Sequence, residues 1–136
     1  MVRDVAAGIA YFILIVVLGT ILGTVWILLV EPAEGALPSV LLELPIMLGL
    51  SWFACGYMVR WWAVAPSDAD RLLMGGSAFI CLMAAELGLA LYPVGGTVAG
   101  HFKAYAEPAQ LAGLLGQVAF GLFPLVRSRL GEPVIQ

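Results

Sequence analysis

Charge is what this sequence has least of. Asp, Glu, Lys and Arg make up 11% of 136 residues, where a soluble domain carries about 25%. With 62% hydrophobic residues and a mean hydropathy of +1.04, too little polar surface remains to coat a globule, so lipid must cover much of the outside. There is no basic run, which excludes nucleic acid as a partner. One histidine and two separated cysteines, Cys55 and Cys81, exclude zinc-finger spacings and a haem held by two imidazoles. No Walker loop, Ser-His-Asp set or metal-ligand cluster is present, so neither a metal nor a cofactor is expected. Asparagine is missing altogether, and with it any N-glycosylation site.

What is present is long apolar runs. Residues 5–30 contain no charge. A signal-peptide core is roughly 7–15 residues long and ends at a small-residue cleavage site. This run is longer and no Ala-x-Ala pattern follows it, so it reads as a retained first span, which needs about 20 residues. Further spans are expected within 38–62, 71–93 and 108–126. The breaks between them are Glu31-Pro32-Ala33-Glu34-Gly35, Ala65-Pro66-Ser67-Asp68, and Gly95-Gly96 through Glu107-Pro108. Each joins charge to Gly or Pro, the usual punctuation between elements. The expected fold is one all-α domain over 1–136: an integral membrane four-helix bundle, up-down-up-down, with short loops.

Basic residues set the orientation of such a bundle. Arg3, Arg60, Arg71, Arg127 and Arg129 fall on one side of a four-span chain. The other side has Lys103 alone, with Glu31, Glu34 and Glu107. Both termini are therefore expected in the cytoplasm, across a bacterial-type inner membrane. Trp61, Trp62 and Tyr92 lie near span ends, where amphipathic rings favour the interface.

Helices in lipid associate through close approach of small residues. Gly19 and Gly23 make such a groove on span one, with Gly8, Ile15 and Trp26 on the same stripe. Ala84 and Gly88 repeat the spacing in span three, and Ala112 and Gly116 in span four, beside Gly113, Gln117 and Gly121. The Gly19/Gly23 groove fits either packing within the chain or a homodimer seam. A homo-oligomer, or a partner membrane protein, is expected because so small a unit leaves little room for a pore.

One carboxylate, Glu86, lies deep within span three, where an ionisable group costs several kcal/mol unless paired, protonated or wetted. At 1.5 Å per residue it is roughly 10 Å below the outer end, and Gln117 in span four lies at roughly 14 Å. A Gln117–Glu86 hydrogen bond follows from that match in depth. Glu43 has two readings. In a span beginning at Pro38 it reaches the depth of Glu86, and the two carboxyls can share a proton. Alternatively, Glu43-Leu44-Pro45 starts the helix and Glu43 is a wetted cap. His101 and Lys103 belong to the outer loop above this end, as a proton relay or a neutralising cation.

In size and topology the chain is similar to small multidrug-resistance transporters, whose proton-binding Glu is in the first span. Here that span is uncharged, so no residue role carries over. Glu43-Leu44-Pro45 resembles the opening of the second span in membrane glutathione transferases, but with shorter spacing and no Asn in the chain.

Three functions fit these residues. The first is a small transporter or ion-coupled binding protein that titrates Glu86, with Gln117 and Glu43 completing the site. The second is an accessory subunit of a larger membrane complex. The third is a membrane enzyme using a carboxylic acid on a lipophilic substrate, which needs a second positioned group. The first is preferred, because intramembrane ionisable groups mark function by default.

Overall fold

The computed structural model describes residues 1–29, 35–92 and 95–131. Glu31, Glu34 and Pro93 lie outside them. Among the described residues five helices follow one another: α1 (Val2–Leu29), α2 (Ala36–Trp61), α3 (Asp68–Leu91), α4 (Val98–Ala104) and α5 (Pro108–Arg129). All but α4 are long and apolar enough to cross a membrane. The shortest of these four has 22 residues, or about 33 Å at 1.5 Å per residue, against a hydrocarbon core of about 30 Å. The chain is an all-α bundle that fits an integral membrane protein.

The helices outrun their apolar stretches by a polar turn at the basic end. Ser67 caps α3 by accepting from the Asp70 amide at 3.2 Å, and Asp68 and Asp70 in the first turn complement the helix dipole. Arg127 and Arg129 close α5 in the same way. Arg129 binds Asp68 through two nitrogens, at 3.2 and 2.5 Å, which places the start of α3 beside the end of α5.

α2 begins at Ala36 and runs unbroken through Pro45. Glu43 is thus inside the helix, and the reading of Glu43 as its cap is corrected. An internal Pro is tolerated in an apolar span where neighbouring groups re-satisfy the freed backbone. The outer connection also departs from a plain loop, since it contains α4. Thr97 caps this helix from the Gly100 amide at 3.0 Å, and α4 lies against α3.

Around the bundle the cyclic order is α1, α2, α5, α3. α2 and α3, consecutive in the chain, are diagonal, and the parallel pairs α1/α3 and α2/α5 are neighbours. Helices 8–10 Å apart put diagonal partners roughly 11–14 Å apart. The connection 62–67 can reach about 20 Å at 3.3–3.6 Å per residue. Loop length therefore does not decide between edge and diagonal; packing does.

The tight packing is at the basic end. A Cβ on Gly75 would overlap the Gly121 carbonyl, and one on Gly8 would overlap the Met74 carbonyl and the Ser77 hydroxyl, so α3 approaches both α5 and α1 backbone to backbone. Ala84 is exposed and Gly88 faces open space, so the seam of α3 lies lower than the Ala84/Gly88 spacing suggested. Around these crossings are the buried Ala7, Tyr11, Ala54, Cys55, Met74, Ala78 and Phe120. Tyr11 stacks on Phe120 at 4.3 Å between ring centroids and donates to its backbone oxygen at 3.1 Å. That carbonyl would otherwise accept from residue 124 of the same helix, but Pro124 has no N–H to give.

Arg71 is 2% exposed. Its guanidinium donates to the Ala65 carbonyl at 2.9 Å and to those of Val64 and Pro124 at 3.3 Å each, tying the α2–α3 connection to α5. This arginine, counted above among the orienting charges, is a structural member of the core.

Candidate functional site

Beyond this packed end the four spans separate. The last buried residue of α1 is Ile15, and above it a cavity of about 600 Å³ opens between α1, α2, α3 and α5. Its walls are mostly aliphatic, with the rings of Trp26 and Phe120. Its polar lining includes Glu43 from α2, Glu86 from α3, and Gln110 and Gln117 from α5. No Lys, Arg or His lines it among the described residues.

Glu86 and Gln117 meet because α3 and α5 are adjacent and antiparallel. The Gln117 carboxamide donates through Nε2 to Glu86 Oε1. Its other end, Oε1, is buried and has no hydrogen-bond partner among the described residues. A buried acceptor left open in this way costs about 1–3 kcal/mol.

Glu43 comes to the same cavity from the opposite corner. It faces α1 at Gly23, where an added Cβ would lie 4.0 Å from Glu43 Oε1. Gly19 faces the Met47 side chain in the same groove, at 3.2 Å from an added Cβ. Trp26 closes the α1–α2 seam by donating from Nε1 to the Ser39 carbonyl at 2.8 Å. Within the chain, Gly19 and Gly23 thus face α2 and form part of the cavity wall.

His101 and Lys103 are carried on α4. Lys103 is exposed and is not among the cavity walls. His101 lines a separate cleft of about 310 Å³ against α3, with Met83, Leu87 and Tyr105. The Tyr105 hydroxyl lies 3.3 Å from His101 Nε2. Burial first, and the nearby Glu86 carboxylate second, push the Tyr105 hydroxyl above its ordinary range. His101 is likewise within electrostatic reach of Glu86.

No family model, curated protein or solved structure matches this chain.

Gln110 escaped the sequence reading. It is exposed at the mouth of the cavity, one heptad before Gln117 and so on the same face of α5; that spacing was the available signal. Tyr105 belongs with His101 and Lys103 to the outer connection in the sequence, but its tie to His101 depends on the helix that forms there. Chemically, the arrangement offers two half-buried carboxyls, a carboxamide that fixes one of them, and mostly apolar walls around both.

Proposed function

We propose that this protein is a small membrane transporter or ion-coupled binding protein, in which protonation of Glu86 controls occupancy of the central cavity. The observation that carries the reading is the pairing of Glu86 with Gln117 inside a cavity to which all four spans contribute. Gln117 orients the carboxyl, and Glu43 supplies a second acidic group across the same space. An ionisable side chain in an apolar enclosure responds to its proton by changing which conformer is favoured. All four spans of one chain line the cavity, and a second copy or a partner membrane protein is proposed to complete the assembly around it.

The proposed setting is a bacterial-type inner membrane with both termini cytoplasmic. Five basic residues at the end that holds the termini support that orientation. The deciding measurement is an infrared pH titration of the protein in lipid vesicles, comparing wild type with Glu86→Gln. A protonated-carboxyl band that rises and falls with pH in wild type and is missing from the variant supports the proposal. An identical band in both, or none in wild type, refutes it.

A further inference from the structure

We infer that the basic end of α2 holds an anionic phospholipid, with Arg60 on the phosphate and an aromatic stripe along the acyl chains. This site lies apart from the central cavity and does not depend on Glu86. Phe53, Tyr57 and Trp61 recur at every fourth position and so share one stripe of α2. Each is at least half exposed, and the rings of Tyr57 and Trp61 lie side by side, 5.7 Å between centroids. Arg60 stands three residues after Tyr57, on the same stripe and in the last turn of the helix. It too is exposed. The stripe is apolar along its length and cationic at its end.

The Arg60 guanidinium is positioned by the backbone, not by a counterion. Its Nε donates to the Gly56 carbonyl at 3.2 Å, and no carboxylate pairs with it among the described residues. The described acids at this end are engaged elsewhere: Asp68 holds Arg129, Asp70 accepts from Ser67, and Asp4 is buried. Arg127 reaches across from α5 and braces the same stretch of α2. Its Nη1 donates to the Trp52 carbonyl at 3.1 Å, and its Cζ lies 4.7 Å from the centre of the Trp52 ring. It passes over Gly56, where an added Cβ would come to 2.5 Å from Nη2. Binding of the phosphate is assigned to Arg60, whose Nη1 and Nη2 make no hydrogen bond among the described residues. A planar guanidinium presents such nitrogens to a phosphate as two parallel donors.

Charge and surface chemistry together choose the occupant. A water-soluble anion would use Arg60 and gain nothing from the exposed rings. A purely apolar molecule would cover the rings and leave a charge unpaired at the edge of the hydrocarbon, where that is costly. A zwitterionic lipid brings its own cation to the phosphate and gains less from Arg60. An anionic phospholipid meets both parts of the stripe. Basic residues beside a membrane surface attract such lipids, and Tyr and Trp rings settle at head-group level.

The test is native mass spectrometry of the purified full chain in mild detergent, titrated with dioleoyl phosphatidylglycerol or dioleoyl phosphatidylcholine. The two lipids share their chains and differ in head-group charge. Phosphatidylglycerol should bind about fivefold more tightly, the effect of one basic residue near a charged surface. Arg60→Gln should abolish that preference. Arg129→Gln should keep it, because Arg129 is already bound to Asp68. Equal binding of the two lipids, equal losses in the two variants, or displacement of the lipid by free glycerol phosphate overturns the inference. A dimer that forms in place of lipid adducts and is lost in Arg60→Gln also overturns it, since a second copy would then cover the stripe. Should Arg60→Gln fail to fold, fluorescence quenching by brominated phosphatidylglycerol locates the lipid. Quenching in wild type that falls in Trp61→Phe supports the site, and equal quenching in both refutes it.

Discussion

Replacing Tyr11 with Phe removes one hydroxyl from the packed end of the bundle and should leave its ring in place on Phe120. What is lost is the donor to the Phe120 carbonyl, an acceptor that Pro124 cannot serve from within the helix. Tyr11 is 0% exposed, so water does not replace the hydroxyl. Leaving a buried acceptor unpaired costs about 1–3 kcal/mol, whereas interhelical hydrogen bonds in a membrane protein average about 0.6 and reach about 1.7 kcal/mol. The combination places Tyr11→Phe at about 1–2 kcal/mol. Pro124→Ala returns an N–H to the helix at the position that normally bonds the Phe120 oxygen. In that background the Tyr11→Phe cost should fall below about 0.5 kcal/mol, giving a coupling of about 1 kcal/mol, within the range for residues sharing one hydrogen-bond network. Reversible unfolding in mixed micelles at rising SDS mole fraction, followed by circular dichroism, reads all four stabilities. An equal cost of Tyr11→Phe in the two backgrounds would show that the hydroxyl and the missing N–H are unrelated.

Neighbouring glycines of α3 should behave with opposite sign. Gly75→Ala drives a methyl into the Gly121 backbone and should destabilise by about 1–3 kcal/mol, the usual cost of overpacking. Gly76→Ala meets nothing within 4 Å and should be neutral or stabilising by up to about 1 kcal/mol through helix propensity; the same unfolding assay separates them, and equal effects would contradict the close α3–α5 crossing. Arg71→Lys keeps the charge but not the planar fork that reaches three carbonyls. It should cost at least about 1.5 kcal/mol, and wild-type stability in that variant would mean that Arg71 only orients the chain.

The spans were legible because helix formation in lipid is a local matter. Every backbone group must be satisfied within its own segment, so length, hydropathy and Gly/Pro breaks are enough to find α1, α2, α3 and α5. The match of Glu86 to Gln117 was legible for a related reason. Depth in a helix is a count of residues, and two polar groups at similar depth on antiparallel spans are natural partners. Glu43 shows where counting stops. The carboxylate before Pro45 carried two sound local meanings, and only the continuous helix from Ala36 chose between them.

Sequence alone therefore determined the number of spans, the basic and acidic ends, and the pairing of Glu86 with Gln117. Tertiary structure decided which helices touch. It put α2 and α3 on a diagonal, turned the Gly19/Gly23 stripe inward, buried Arg71 among carbonyls and left a cavity above Ile15. The physical reason is that adjacency depends on where two backbones come closest. That is set by pairs such as Gly75 and Gly121, far apart in the chain, and no local pattern in either helix names its partner.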